Sequence, residues 1–216
     1  MKVKDTIIQI SADDNNPLRA HSRPVKTEEF NSVYLRDVIT SMKQALAREH
    51  DGVAIAAPQI GIALRLFVVA PSSYEESAKH KPLVFINPKI IKRSKKTAVM
   101  QEGCLSVRWV YGKTKRSVAC TVEAYDEDGK KFTYGGNGLL AHIFQHETDH
   151  LDGVLFIDHG FDLEEYTEEE VREFVAGMAG TLGTVLLLLT VVVELATPLV
   201  VVIFAPGYLR DPYRFH

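Results

Sequence analysis

The sequence predicts an α+β fold in which short antiparallel or mixed strands surround a central helix bearing metal-type ligands, with a hydrophobic C-terminal extension. Three observations predict it. An amphipathic helical pattern comes first, β-branched runs occupy the middle, and a second helical pattern carrying two histidines comes late. Helices kept apart from strands in this way argue against alternating βαβ units. With 216 residues, 46% of them apolar, the chain can bury one core of ordinary size and still carry an appendage. The expected division is residues 1–160 as one mixed domain and 161–216 as an extension.

The first element is "TEEFNSVYLRDVITSMKQALAREH", where Phe30, Val33, Val38, Met42 and Ala45 recur at near-helical spacing behind Thr27 as a cap. It ends before Asp51 and Gly52. The following "GVAIAAPQIG" is small, Pro-containing and bounded by glycine, which suits a loop whose backbone runs close to a ligand. The segments "RLFVVA", "LVFINPKII" and "SVACTVEAY" read as strands, and "DEDG" separates the last from "KKFTY" as a hairpin turn does. In "GLLAHIFQHETDHL", Leu139, Leu140, Ile143 and Leu151 form an apolar stripe beside a polar one.

That last helix carries the chemistry. Residues i and i+4 share a helix face, so His146 and His150 can offer ring nitrogens to one ion, with Glu147 beside them. The H-E-x-x-H pattern is short, and a solvated polar face would look the same. A catalytic site needs a third protein ligand and an open position for water. Cys104, in the Gly-containing "EGCLS", is the better candidate, because a thiolate is a strong soft ligand. Cys120 lies inside an apolar run and reads as a buried structural thiol.

Three short motifs stand in order: "GVAIAAPQ" from Gly52 to Gln59, "EGCLS" from Glu102 to Ser106, and "QHETDH" from Gln145 to His150. With "INP" before the second and "LDGVLF" after the third, they resemble the peptide deformylase family. The resemblance covers about residues 5–160, making them a deformylase-like catalytic domain, and leaves out the tail. It implies Cys104, His146 and His150 as ligands of one divalent ion. Ferrous iron is the family's usual ion, and zinc or other divalent ions are also seen. Glu147 would be the acid/base, and the Gln59 amide and Leu105 N–H would stand at the reacting carbonyl oxygen.

The implied substrate is an N-formylmethionyl nascent peptide, hydrolysed to formate and a free amino terminus. Gly52, Val53 and Ala54 would meet the peptide as a neighbouring strand, and Glu102, Gly103, His142 and Ile143 would complete its binding site. Two positions depart from the family pattern. Ala54 stands where glycine is usual, and His142 where arginine or an apolar residue is more frequent. His142 then lines the methionine pocket or faces solvent, and Trp109 is either a pocket rim or a surface aromatic. Two rival readings accompany the deformylase: an H-E-x-x-H zinc peptidase, and a catalytically silent membrane protein that binds peptide amino termini.

Net charge is −3 and pI about 6.2, with no long basic run, which speaks against duplex nucleic-acid binding. Two cysteines make no disulfide framework, and the N-terminus lacks a signal-peptide core, so a cytoplasmic setting is expected; the nascent-peptide substrate that the resemblance implies adds proximity to the ribosome. From Phe174 to Val193 the chain runs 20 residues without a charge, and 15 more uncharged residues precede Arg210. A helix of that length spans roughly 30 Å, so the stretch 174–209 is expected either to anchor the chain in a membrane or to pack as a helix and strand on the catalytic domain.

Overall fold

Ser32 accepts a hydrogen bond from the Leu35 N–H and opens α1, Val33–Arg48, satisfying one of the orphan donors of the first turn. Thr27 is not the cap. Thr27–Glu29 form a separate 3-10 turn, and Asn31, at φ +61°, breaks the chain between turn and helix. The face that α1 buries consists of Leu35, Val38, Ile39, Met42, Ala45 and Leu46, while Val33 points outward. The chain is described by a computed structural model over residues 3–11, 16–74, 82–174 and 176–177.

Five strands form an antiparallel sheet in the order β1-β2-β3-β6-β7: β1 Ala54–Ala56, β2 Leu66–Val69, β3 Leu83–Arg93, β6 Ala119–Tyr125 and β7 Lys131–Asn137. Successive side chains of a strand face opposite sides, and both sides of β2 are covered. Leu66 and Val68 pack with the apolar face of α1, while Phe67 and Val69 pack with Ala141, Ile143 and Phe144. Burial on both faces is why "LFVV" is apolar without a break. Phe85 stacks on Phe67 at 4.7 Å and meets Phe144 edge-on at 5.1 Å, fastening α2, Leu139–Leu151, across the sheet.

A second sheet, in the order β4-β5-β8, holds β4 Thr97–Cys104, β5 Val107–Ser117 and β8 Phe161–Glu165. None of the three is announced by apolar alternation, because β4 and β5 turn Glu102, Thr114 and Arg116 inward and β8 is exposed throughout. The N-terminal segment ties the two halves together: the Ile8 N–H donates to Gln59 O at 2.7 Å and the Ile10 N–H to Ser106 O at 2.8 Å. Leu18, Val107, Leu155 and Phe156 make a small core against it.

The expected boundary at residue 160 falls just before β8. The first compact unit is Met1–Glu165 and the second Tyr166–His216. In the second, residues 168–174 are helical, opened by Thr167 and Glu170, whose side chains each accept a hydrogen bond from the other's backbone N–H at 3.2 and 2.7 Å. The uncharged stretch expected to anchor in a membrane lies outside the described residues, apart from Phe174, Ala176 and Gly177. Among the described residues, no helix is long and apolar enough to cross a membrane.

Candidate active site

Gly138, at φ +54°, turns the chain from β7 into α2. Two residues earlier, a methyl on Gly136 would lie 2.9 Å from the Phe144 ring, so only glycine lets the helix approach the strand this closely. The helix is then held by Gln145, which accepts from the Ser117 N–H and donates to Ser117 O. As a result the polar stripe of α2 is buried, not solvated: His142, Gln145, His146, Glu147 and His150 each keep less than a tenth of their surface exposed. A buried set of this kind requires partners.

Cys104, at the end of β4, supplies one of them. Its Sγ lies 3.2 Å from His150 Nε2, and the ligand atoms of Cys104, His146 and His150 all fall within 4.8 Å of one another. Burial pushes the Cys104 thiol up, but the His150 and His146 rings outweigh it and lower its pKa to about 5, so the sulfur is a thiolate at neutral pH. The Ser106 N–H points at the same sulfur from 3.4 Å.

Glu102 supports the ligands from behind. Burial alone would raise its pKa, but hydrogen bonds from Arg116, His142 and His146 hold it far below the usual carboxylate range. An ionised carboxylate only accepts. His146 Nδ1, 2.5 Å from Glu102 Oε1, must therefore be the donor, which in the neutral imidazole leaves Nε2 with the free lone pair. Arg116 donates to both Glu102 oxygens at 2.9 and 2.7 Å and to Asp149 at 2.7 Å. Thr114 Oγ1 and His142 Nε2 complete the cluster, the latter at 2.5 Å.

Gln59 closes the opposite side. Its Oε1 accepts from the Ala56 N–H at 2.8 Å, which turns its Nε2 towards Ser106 Oγ at 3.1 Å and Cys104 Sγ at 3.7 Å. Glu147 is buried beside the ligands; burial lifts its carboxyl, the nearby His146 and His150 rings oppose it, and its pKa is raised to about 6. Glu147 Oε2 and His150 Nδ1 are buried without a hydrogen-bond partner among the described residues. A thiolate, two imidazoles with convergent nitrogens, and a carboxylate oxygen in need of a partner fit a divalent cation holding water.

Gln59, Glu102, Cys104, His142, His146 and Glu147 line a cleft of about 320 Å³. Its walls include Gly52, Val53 and Ala54 on one side, Glu102, Gly103, Cys104 and Leu105 on the other, and His142, Ile143, His146 and Glu147 from α2. All the residues singled out in the sequence thus meet at one place, His150 joining them through Cys104. The "GVAIAAPQ" stretch is not simply a loop: Ala54–Ala56 is an edge strand and Ala57–Ile60 a 3-10 turn. Ala54 packs in the core cluster with Phe67 and Phe85. His142 is buried, and its Nδ1 lies 3.4 Å from Met100 Sδ, so the solvent-facing reading is ruled out.

The family model for polypeptide deformylase matches residues 7–178. The chain belongs to the peptide deformylase family. It is 43% identical over 150 residues to peptide deformylase 2 of Clostridium acetobutylicum, covering 69% of this chain and 93% of that one. The class I type b peptide deformylase of Acinetobacter baumannii, in its crystal structure bound to Met-Ala-Ser, superposes with a TM-score of 0.64 at 31% identity, covering 74% and 99% of the two chains. A peptide deformylase from Legionella pneumophila gives 0.61 at 37% identity, covering 71% and 83%.

Within this deformylase, the residues that sequence patterns missed are Arg116, Thr114, Ser106 and Asp149. "GKTKRS" did hold a signal, since Gly112, Thr114 and Arg116 alternate inward between exposed Lys113 and Lys115. An inward face made of polar groups escapes a search for apolar periodicity.

Proposed function

We propose that this site hydrolyses the N-terminal formamide of N-formylmethionyl peptides, releasing formate and a free amino group. The observation that carries the reading is the convergence of Cys104, His146 and His150 beside a buried Glu147 and an oriented Gln59 amide, with Cys104, His146, Glu147 and Gln59 lining one cleft. Cys104 Sγ and the Nε2 atoms of His146 and His150 would hold one divalent ion. Ferrous iron is the native ion implied by the family, and the same donors accept zinc. Such an ion acidifies a water and polarises a carbonyl.

The chain's own residues supply the rest. Glu147, with its pKa near 6, takes a proton from the attacking water and returns it to the leaving nitrogen, since a base near neutrality serves both steps. Negative charge grows on the formyl oxygen as the carbon becomes tetrahedral. The Gln59 Nε2 and the Leu105 N–H are donors for that oxygen, held in place before the reaction begins. Glu102 is assigned to positioning, because its oxygens are occupied by Thr114, Arg116, His142 and His146. Gly52, Val53, Ala54 and Gly103 line the path of an extended peptide, and His142 and Ile143 line the space for its methionine side chain. A formylated nascent chain as substrate supports a cytoplasmic catalytic unit.

The test is formate release from formyl-Met-Ala-Ser by the full-length protein loaded anaerobically with ferrous iron, compared with Glu147→Gln. Metal-dependent release that the variant loses by at least about 100-fold supports the reading. Equal release by both proteins removes Glu147 from the mechanism, and cleavage of internal peptide bonds would favour the zinc-peptidase alternative.

A further inference from the structure

Trp109 holds a backbone conformation that its side chain disfavours. Its φ is +65°, and the other described non-glycine residues with positive φ are Asn31, Asn87 and Asp162, types that tolerate the left-handed region. A bulky residue there is strained, and strain of this kind persists where the surroundings enforce it. The cause lies in the pairing of β4 with β5. Gly103 pairs with Tyr111 and Cys104 with Val107, so one step on β4 faces four on β5, and Arg108, Trp109 and Val110 bulge out beside the metal ligand.

All three bulged residues line the cleft. Arg108 ties the excursion to the segment that follows α1 by ion pairs with Glu49 and Asp51, the latter at 3.5 Å. Its guanidinium lies 5.6 Å from the centre of the Trp109 ring, which backs the indole with a fixed cation. The ring itself is half-buried. Trp109 is two residues beyond Val107, the partner of Cys104, and both Trp109 and Cys104 line the same cleft. A peptide whose formyl group lies at the ligands would carry its second or third side chain past this ring.

We propose that Trp109 is a specificity-determining residue that receives an apolar or aromatic side chain at the second or third position of the formylated peptide. The proposal rests on the deformylase reading above. Contact with an aromatic platform favours such a side chain over serine by about three- to tenfold in kcat/KM. The bulge supplies the platform and the Arg108 clasp keeps it from collapsing into the cleft.

The experiment uses the full-length, metal-loaded protein and two substrate series, formyl-Met-Xaa-Ser and formyl-Met-Ala-Xaa, with Xaa as serine, leucine or phenylalanine. The expected result is a preference for phenylalanine or leucine at one position, carried by KM. Trp109→Gly abolishes that preference and Trp109→Tyr keeps it. Glycine adopts φ +65° freely, so the first variant retains the fold. Trp109 is also the chain's one tryptophan, so titration with unformylated Met-Ala-Phe and Met-Phe-Ser reads the contact directly as a change in emission. A preference that survives Trp109→Gly overturns the proposal, as does an emission unmoved by either peptide. If no peptide yields formate, the deformylase reading fails, and the emission titration still decides whether Trp109 meets peptide.

Discussion

His146 donates its Nδ1 hydrogen to Glu102 at 2.5 Å, and Glu102 is itself fixed by two hydrogen bonds from the buried Arg116. One carboxylate thus selects the tautomer of the proposed metal ligand His146 and neutralises an arginine that has little access to water. Glu102→Gln would keep the shape and remove the charge. Arg116 would then face only Asp149, and a buried pair broken on one side costs about 3–5 kcal/mol. Metal affinity should fall by about 10- to 100-fold, as it does when the partner of a ligating histidine is lost. Chelator competition on the folded variant measures this, and an unchanged affinity would remove Glu102 from the positioning role.

Removing the metal should abolish formate release without unfolding the chain. The ligands sit on β4 and α2, and α2 is held by the aromatic cluster of Phe67, Phe85 and Phe144, which needs no ion. An ion present at 100 times its dissociation constant stabilises by about 2.7 kcal/mol. Its removal should therefore lower Tm by about 5–10 °C for a chain of this size. Thermal scans before and after chelation, followed by return of the ion, would show recovery of both Tm and activity. An apoprotein with no cooperative transition would mean that the ion holds the fold.

The ligand helix was legible because its histidines repeat at helical spacing and two other motifs stand in order before it. The strands of the five-stranded sheet were legible in β2, β3, β6 and β7, where apolar residues are continuous or alternate. What escaped was the second sheet. Its inward residues Glu102, Thr114 and Arg116 are polar because they form the cluster through which Glu102 fixes His146, and that cluster removes the apolar signature of β4 and β5. The break between Thr27 and Ser32 escaped for a different reason, since a left-handed Asn31 interrupts a helical pattern without altering its periodicity.

Gly153 should tolerate no side chain. It follows α2 at φ +75°, its N–H donates to His150 O at 3.2 Å, and a methyl there would lie 2.5 Å from the carbonyl oxygen of Arg19. Neither contact partner is a flexible side-chain end, so the backbone of the 3-10 turn Pro17–Arg19 would have to move. Strain and displacement together should cost Gly153→Ala at least about 2 kcal/mol. Urea unfolding of the variant reads this as a lower midpoint at unchanged slope. A midpoint within error of the native protein would show that the turn yields freely.

Asp158 gives the same region a dependence on pH. Burial would raise its pKa, but the bond from Arg19 at 2.6 Å and that from the Leu155 N–H at 2.8 Å outweigh it, leaving the carboxyl below its usual 3.8. A group whose folded pKa is depressed stabilises fully above its unfolded value and loses that contribution as pH falls through the folded one. The pair is more than one-third exposed, 37% and 36% for the two side chains, so solvent screening holds the effect to no more than about 1 kcal/mol. Asp158→Asn can keep the Leu155 bond and lose the ion pair. Its stability should therefore lie below the native chain's at pH 7 and converge on it as pH falls below about 4, and a gap that persists at low pH would trace the loss to packing instead of charge.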